Sequence, residues 1–448
     1  MNDTICAIST AVGIGAISIV RISGDEAINI VNRIFDKDLT KIKSHTINYG
    51  HIMENGEIID EVMVSLMKAP KTFTREDIIE INCHGGVATT NKVLELLLNN
   101  GARLAEPGEF TKRAFLNGRI DLLEAESIMD LIESKTDSQR KLSINGIDGK
   151  ISKLIRDIID NLVNINANIE VNIDYPEYED IEVVTKNNIK NISEYITKEL
   201  TKLLEESENG KLIKEGINTL ILGKPNVGKS SILNKLINEE KAIVTDIAGT
   251  TRDIVEGSLR INGILLNIID TAGIRETQDL VEQIGVEKSI SLIDKSDLIV
   301  LVLNNNESLT KEDLDLLEKT KNKNRIIVVN KIDLDNKLDL EKLSDERIIK
   351  LSALDNVNEL IKEISNMYKL EELNNKDFTY LSNSRQISLV KKAIEVSKNL
   401  NKSLNEDIPI DILEIDIKEI CEILGEIIGE SYDNKLIDTL FSNFCLGK

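Results

Sequence analysis

The chain has 448 residues, 41% of them hydrophobic and 29% charged, which is the composition of a globular protein with two to four domains. Its 77 Asp and Glu against 55 Lys and Arg give a formal net charge of −22. That charge argues against general attraction to nucleic acid, which needs clustered cations, so any contact with RNA has to be local or shared with a partner.

Membrane, secreted and zinc proteins are also disfavoured. No run approaches the roughly 18 apolar residues of a membrane span, and the N-terminus lacks a secretory signal, so we expect a cytoplasmic protein without a membrane partner. The cysteines lack C-x-x-C pairing and the three histidines are scattered, which predicts neither a disulfide framework nor a zinc site. Any metal should be held by oxygen.

The first 118 residues have the pattern of a small α+β domain. A mostly alternating run over residues 16–22 predicts a strand, Asn55-Gly56 predicts a hairpin turn, and residues 77–83 predict a further strand. Arg21 falls in the first of these strands and Glu80 in the last, among isoleucines.

The stretch from Pro107 to Asp121 carries few structural signals and is interpreted as a solvated connection. It is dense in cations, namely Lys112, Arg113 and Arg119. If the chain itself contacts RNA, these side chains and their neighbours are the local positive charge available for it.

Helical periodicity begins at Leu122 and predicts helices over residues 122–132, from 151 to near Tyr175-Pro176, and over 189–204, followed by a polar link over 205–216. More amphipathic helices are predicted after Asn375. Because such helices cannot bury their apolar stripes alone, their simplest partners are the helices before residue 205. The segment between is therefore interpreted as an insertion within one helical domain, and two independent bundles are the alternative.

Residues 223–230 read G-K-P-N-V-G-K-S and match G-x-x-x-x-G-K-[ST], between an apolar strand pattern and a helical pattern. In this motif backbone N–H groups surround phosphates, the lysine reaches the β and γ oxygens and the hydroxyl binds Mg²⁺. The candidate nucleotide contacts in this phosphate loop are Asn226, Val227, Gly228, Lys229, Ser230 and Ser231.

Three downstream elements extend this prediction to a Ras-like GTPase domain. Asp270-Thr271-Ala272-Gly273 offers a carboxylate for Mg²⁺ and a glycine beside the γ-phosphate. In Asn330-Lys331-Ile332-Asp333, Asp333 can accept from the N1–H and N2–H₂ groups of guanine, which favours GTP over ATP. Ser352-Ala353 offers a backbone N–H to the guanine O6.

Ile274 stands where Ras-like switches have the glutamine that orients the attacking water. Hydrolysis therefore needs another arrangement, or the domain is a slow timer. The loop D-I-A-G-T-T-R-D at residues 246–253 offers Thr251 as a second Mg²⁺ ligand, and its carbonyls can line a cation site. Glu282 can hold the attacking water through an intermediate, although a solvated charge is the simpler interpretation of that residue alone.

Taken together, these motifs make the chain resemble the MnmE/TrmE family of tRNA modification GTPases from end to end. The resemblance is carried by R-I-S-G at 21–24, H-G-G at 84–86, P-G-E-F-T-K-R-A-F-L-N at 107–117, G-T-T-R-D at 249–253 and C-L-G-K at 445–448. The last fits the C-x-G-K ending of the family, which a generic switch GTPase has no reason to carry.

The resemblance implies a multidomain α+β and α/β fold. Residues 1–118 would form a folate-binding and dimerisation domain, and 119–215 the first part of a helical domain. Residues 216–370 would be an inserted P-loop GTPase domain, and 371–448 the second helical part with the C-x-G-K motif.

The implied activity is K⁺-stimulated GTP hydrolysis by a homodimer that works with the flavoprotein MnmG (GidA) as a heterotetramer. The pair would use 5,10-methylene- or 5-formyl-tetrahydrofolate to add a (carboxymethyl)aminomethyl group at C5 of the wobble uridine of certain tRNAs. The alternative is a regulatory switch GTPase of the ribosome-assembly type without one-carbon chemistry. An ATP-dependent kinase is disfavoured by Asn330 and Asp333.

The resemblance also implies site residues, by motif match. Folate contacts fall on Arg21, Glu80, Arg119 and Lys448, and Mg²⁺ ligands on Ser230 and Thr251. The K⁺ ligands fall on Asn226, Thr245, Ile247 and Thr250, further GTP contacts on Asp246, Ala248 and Gly249, and the water-positioning carboxylate on Glu282. Cys445 is a candidate nucleophile, with a packing role as the alternative.

Overall fold

The computed structural model describes residues 3–174, 179–239, 255–269, 292–339, 343, 346–375, 380–406, 408–431 and 434–447. The chain forms two compact units. The first consists of Met1–Met129, Gly146–Leu200 and Ser384–Lys448, and the second of Asp130–Asn145 and Thr201–Asn383. Among the described residues no helix combines the length and the apolar character that crossing a membrane requires.

Both units contain a sheet with helices. The strands of the first unit are β1 Ile5–Ile8, β2 Ile17–Ser23, β3 Thr46–Glu54, β4 Glu57–Met67, β5 Ile78–His84 and β6 Arg103–Leu104. Those of the second unit are β7 Ile217–Leu222, β8 Val255–Ile261, β9 Ile264–Ile269, β10 Leu298–Asn304, β11 Arg325–Asn330 and β12 Ile348–Lys350.

The helices whose bounds lie within the described residues are as follows, in chain order. Up to the phosphate loop they are α1 Ala27–Asn32, α2 Val87–Asn99, α3 Glu109–Leu116, α4 Leu122–Glu133, α5 Asp137–Ile147, α6 Lys150–Asp174 and α7 Glu179–Glu215. After it they are α8 Lys229–Glu239, α9 Lys311–Lys319, α10 Asn358–Met367, α11 Leu370–Asn375, α12 Ser384–Asn405, α13 Ile410–Ile428 and α14 Asn434–Ser442.

The sheet of the first unit has the strand order β3-β4-β5-β2-β1-β6. Its strands pair antiparallel except for β1 and β6, which pair parallel. Asn55 and Gly56, with φ angles of 51° and 87°, join β3 to β4 in the left-handed conformations of a two-residue hairpin turn. This confirms the predicted hairpin.

Alternating side chains of β5 build the core of this sheet. Ile79 and Ile81 are fully buried and belong to one apolar cluster with Val31 of α1 and Val93 of α2. Glu80, between the two isoleucines, points to the opposite face because successive strand residues alternate. The core pattern therefore leaves Glu80 on the face away from these helices.

The solvated connection predicted for residues 107–121 is wrong, because Glu109–Leu116 forms helix α3 with a buried face. Arg113 is only 1% exposed, and its guanidinium pairs with Asp3 at 2.8 Å, Glu76 at 3.1 Å and Glu109 at 3.2 Å. A buried cation needs such partners. In the sequence alone, an arginine within a polar stretch is interpreted as exposed, so its burial was not predicted. Arg113 is therefore not available to RNA.

The helical part of the first unit is built from both sides of the nucleotide-binding motifs. Helix α13 packs against α12 and α6. The buried hydroxyl of Ser193 in α7 donates to the carbonyl oxygen of Ser397 in α12 at 2.7 Å. These contacts join helices that lie about 200 residues apart in the chain.

The polar link predicted over residues 205–216 is also wrong, because α7 runs to Glu215. Buried Leu203, Ser207 and Ile213 continue one face of the helix. The Glu and Lys residues between them are good helix formers, so the polar composition of residues 205–216 is compatible with a helix and did not justify predicting a loop.

The sheet of the second unit has the order β12-β11-β10-β7-β9-β8 and is parallel except for the pairing of β8 with β9. Every residue of β10 and β11 is buried, as expected for parallel strands covered on both faces. The carboxyl ends of β7, β10 and β11 meet at one edge, where ligands bind in such sheets.

A partly buried ion pair fixes the segment that enters this sheet. Lys214, near the end of α7, lies with Nζ 2.7 Å from Oδ1 of Asp130 and donates to the carbonyl oxygen of Ser382 at 2.8 Å. Gln139 donates from Nε2 to the carbonyl oxygen of Lys214 at 2.7 Å. Desolvation raises the pKa of Asp130, and Lys214 opposes that rise.

We predict that Lys214→Met lowers the free energy of unfolding at pH 7 by about 2 kcal/mol, because it leaves the Asp130 carboxylate without its counter-charge. The loss is below that of a fully buried pair because the Lys214 side chain is 30% exposed. Since the folded-state pKa of Asp130 is raised, protonation favours the folded state, and the loss should shrink as the pH falls from 7 towards 5.

Urea unfolding of the full chain at pH 7 and pH 5 measures both effects. Lys211→Met is the matched control, because Lys211 lies on the same helix in an exposed pair with Glu215. An equal loss in the control variant, or a loss at Lys214 that does not depend on pH, would contradict the prediction.

Candidate functional site

The phosphate loop leaves β7 and enters α8 through left-handed backbone. Asn226 and Gly228 have φ angles of 62° and 102°. A Cβ atom on Gly228 would lie 2.1 Å from Nδ2 of Asn330, so only glycine fits at this position. The backbone of the loop can thereby approach a bound group closely.

Lys229 lies over this loop. Its Nζ donates to the carbonyl oxygens of Gly223 and Lys224, both at 2.8 Å. Burial lowers the pKa of Lys229, because desolvation disfavours the ammonium form. A phosphate beside the ammonium would offset that desolvation, so the position suits an anionic ligand.

The buried amide of Asn330 joins two of the predicted loops. Its Nδ2 donates to the carbonyl oxygen of Val227 at 2.8 Å, and its Oδ1 accepts from the N–H of Ala353 at 3.0 Å. Lys331 donates from Nζ to the carbonyl oxygen of Asn226 at 2.7 Å. The phosphate loop, the Asn330–Asp333 loop and the Ser352-Ala353 turn therefore form one site.

Asp333 and Ser352 form the outer part of this site. The exposed Asp333 carboxylate accepts from the Ser352 hydroxyl at 2.7 Å through Oδ1. Ser352 itself is buried, so the hydroxyl is held in place by its surroundings. An oriented carboxylate of this kind can accept hydrogen bonds from N–H groups of a purine.

Sequence reasoning missed the support of the phosphate loop by Lys224. Its Nζ lies 2.8 Å from Oδ2 of Asp313 and 3.4 Å from Oε2 of Glu307. Asp313 also completes a capping box with Thr310 at the start of α9. The T-x-x-D spacing could have revealed the cap, but no local pattern reveals its ion pair with Lys224.

Several predicted site residues lie outside the described residues. These are Thr245, Asp246, Ile247, Ala248, Gly249, Thr250, Thr251, Asp270, Thr271, Ala272, Gly273, Glu282 and Lys448. Of the predicted cation ligands, Asn226 lies in the phosphate loop and Ser230 in the first turn of α8.

In the first unit, Arg21 and Glu80 face each other across β2 and β5. Nη2 and Nε of Arg21 lie 2.8 and 2.9 Å from Oε1 of Glu80. The Arg21 guanidinium carbon also lies 5.6 Å from the centroid of the Phe110 ring. The ring and the carboxylate together fix the orientation of the guanidinium.

The C-terminal segment returns to this pair. Nη1 of Arg21 lies 3.4 Å from the carbonyl oxygen of Gly447, and the Ser9 hydroxyl donates to the same oxygen at 3.1 Å. A Cβ atom on Gly447 would lie 2.3 Å from the carbonyl oxygen of Ile8, which explains the glycine of the C-x-G-K ending. Cys445 is exposed. No sequence pattern marks Ser9 as a partner.

Arg119 has different partners. It donates from Nη1 to the carbonyl oxygen of Phe73 at 3.1 Å, and its guanidinium carbon lies 4.9 Å from the Phe73 ring centroid. Phe73 packs against the apolar cluster that contains Phe110. Arg21 and Arg119 therefore rest on aromatic rings of the same cluster.

Two family models match the chain. The model of the GTP-binding protein TrmE N-terminus matches residues 4–119, and that of the MnmE helical domain matches residues 122–445. A solved structure of Era from Aquifex aeolicus, bound to GDP and AlF₄⁻, is 27% identical over 40% of this chain and 66% of its own. Its TM-score is 0.26, and it adds nothing to the assignment.

Curated relatives align with the whole chain. The tRNA modification GTPases MnmE of Bacillus mycoides, Streptococcus thermophilus and Lactococcus lactis are 51%, 53% and 52% identical to it. Each alignment covers 100% of this chain and 98% or 99% of the relative. This similarity over the full length, together with the two family models, shows that the chain belongs to the MnmE family of tRNA modification GTPases.

Proposed function

We propose that this tRNA-modifying GTPase is K⁺-stimulated and works with the flavoprotein MnmG. Together they use a folate one-carbon unit to add a (carboxymethyl)aminomethyl group at C5 of the wobble uridine of certain tRNAs, in the cytoplasm. The observation that carries the proposal is the contact of the Arg21–Glu80 pair with Gly447 of the C-terminal segment.

The chemistry of this pair fits a folate. A pterin ring presents N–H donors much as guanine does, so the Glu80 carboxylate is a suitable acceptor for them. The guanidinium of Arg21 suits the oxygen of a formyl group or the glutamate tail. The side chains of Arg21 and Glu80 are 18% and 23% exposed, so a ligand can reach both. Arg119 and Lys448 are the further proposed contacts.

Cys445 is proposed as a nucleophile in the one-carbon chemistry. Its thiol is exposed, whereas Cys6 and Cys83 in the core of the first unit are buried. Exposure favours this role over packing, because a packing cysteine would be enclosed.

The nucleotide is proposed to be GTP with Mg²⁺ on Ser230 and Thr251. Asn226, whose exposed side chain stands in the phosphate loop, would hold K⁺ together with Thr245, Ile247 and Thr250. When bound by these residues, K⁺ would supply positive charge that offsets the charge developing on the phosphate oxygens, as an arginine finger does elsewhere. Glu282 would position the attacking water in place of the glutamine that Ile274 replaces.

We also propose that the GTPase domain is inserted in one helical domain, which the packing of α12 and α13 with α6 and α7 supports. Homodimerisation is proposed through the N-terminal domain. Ile47, Tyr49 and Met63 are exposed apolar side chains on β3 and β4, and Tyr49 and Met63 are paired across the two strands. A second copy of the chain would cover this apolar surface.

We predict that Asp333→Asn lowers the affinity for GTP by roughly 10- to 100-fold and shifts the preference towards xanthosine triphosphate. The carboxylate loses its paired acceptor role towards the guanine N–H groups, whereas the new amide can donate to the C2 carbonyl of xanthine. Titration of the two nucleotides measures the change. Ser352→Ala is the control, because it removes the hydroxyl donor but keeps the carboxylate. An unaltered preference for GTP in Asp333→Asn would disprove the assignment.

We predict that replacing K⁺ by Na⁺ at constant ionic strength lowers GTP turnover by about 100-fold, while GTP affinity changes little. The effect arises because the cation stabilises charge that develops only as the terminal phosphate leaves. Steady-state hydrolysis in the two buffers is the measurement. A regulatory switch without this mechanism would turn over equally in both, and that outcome would refute the K⁺ proposal.

We predict that the intact chain binds 5-formyl-tetrahydrofolate and that deletion of the C-terminal residues 445–448 weakens binding at least about tenfold, because a charge-assisted contact is lost. Isothermal titration calorimetry measures both proteins. Cys445→Ser is the matched control, because it removes the thiol and keeps the segment that reaches Arg21. If the intact chain does not bind the folate, the one-carbon proposal fails.

A further inference from the structure

Three loops of the first unit carry cations that are not in ion pairs with any described residue. We define the loop cation surface as Lys41, Lys43, Lys68, Lys71, Arg75 and Arg119. Lys41 and Lys43 lie between α1 and β3, the next three between β4 and β5, and Arg119 between α3 and α4. The chain as a whole has a net charge of −22, so these six cations in adjacent loops are a local group of opposite sign to the chain.

Hydrogen bonds hold the three loops together. Lys68 donates from Nζ to the carbonyl oxygen of Thr40 at 2.9 Å and from its backbone N–H to the Ser44 hydroxyl at 2.8 Å. Arg75 donates from Nη1 to the carbonyl oxygen of Asn117 at 2.8 Å. Arg119 donates to Phe73 of the middle loop. The six cations therefore belong to one surface.

The side chains of Lys41, Lys43, Lys71, Arg75 and Arg119 are exposed. Because these side chains are exposed, the surface presents several donors to solvent. Arg75 also has a left-handed backbone with φ of 61°, which is unfavourable for a residue with a Cβ atom and is tolerated where the surroundings impose it.

Carboxylates in the same loops are occupied by other partners. Asp38 accepts from Thr40, Asp77 accepts from the N–H of Ala69, and Glu76 accepts from Ser23 and pairs with the buried Arg113. Asp25 lies beside Arg75 and Asp77 in the lining of a cavity. Asp38 interacts electrostatically with Lys41, Glu124 does so with Arg119, and Asp25 is a further opposing charge. The positive side chains of the surface are therefore only partly balanced by carboxylates.

We propose that the loop cation surface binds the phosphate backbone of tRNA. Lys and Arg that neutralise phosphates release counterions, which gives affinity without reading sequence. Two other cations were expected to contact RNA but are not available to bind its phosphates. Arg113 is buried, and Nζ of Lys112 is paired with Asp438 at 2.6 Å. The proposal rests on the tRNA-modifying activity of the family and not on the folate site.

The test compares the full chain with two triple variants of equal charge. Lys41→Gln/Lys43→Gln/Lys71→Gln alters the surface and spares Arg119, which is assigned to the folate. The control, Lys153→Gln/Lys391→Gln/Lys398→Gln, alters exposed lysines on α6 and α12. The probe is an unmodified tRNA transcript with uridine at the wobble position, and its binding is followed by fluorescence anisotropy between about 50 and 200 mM salt.

The surface variant should bind the transcript roughly tenfold more weakly at low salt, with the slope of log K against log salt less steep by about 2. The circular dichroism spectrum and the urea unfolding transition of the surface variant should equal those of the unaltered chain, which would show that its first unit is folded. The control should bind as the unaltered chain does.

Three results would overturn the proposal: no binding of tRNA by the unaltered chain, unchanged binding by the surface variant, or an equal loss in the control variant. The last would mean that net charge, and not this surface, governs binding. Because neither folate nor a partner protein is added, failure of the one-carbon proposal would leave these measurements unchanged.

Discussion

The candidate nucleotide site depends on the two hydrogen bonds of the Asn330 amide. One is donated to Val227 in the phosphate loop and the other is accepted from Ala353 in the Ser352-Ala353 turn. Asn330 is 2% exposed, and a buried amide is tolerated only when its polar atoms are bonded. The two loops are therefore held in one relative position, and Gly228 has to lack a side chain to make room for the amide.

In the first unit, a polar side chain also joins two segments by a hydrogen bond, and these segments lie much farther apart in the chain. Arg21 lies on a strand near the N-terminus and contacts the carbonyl oxygen of Gly447, which is 426 residues away. The guanidinium is already fixed by Glu80 and Phe110 before it meets the C-terminal segment. An arginine with fixed donors is suited to recognise an oxygen of a ligand without a further loss of side-chain freedom.

Sequence patterns correctly predicted the elements that are determined by residues close together in the chain. The Asn55-Gly56 turn and the apolar strand β7 before the phosphate loop follow from turn chemistry and from burial. Predictions failed where charged residues are buried or helical, as at Arg113 in α3 and at the end of α7. The pairing of Lys224 with Asp313 and of Arg21 with Gly447 arises only from tertiary contact, so no local pattern could reveal it.

The central claim is that the guanine-nucleotide unit and the Arg21–Glu80 site of one chain serve a single reaction on tRNA. Mass spectrometry of wobble uridine in cells that lack the gene tests it most directly, with restoration by the unaltered chain or by Arg21→Met. We expect the C5 modification to disappear without the gene and to return with the unaltered chain but not with Arg21→Met, although that variant still hydrolyses GTP. Full modification of wobble uridine in cells without the gene would contradict the account.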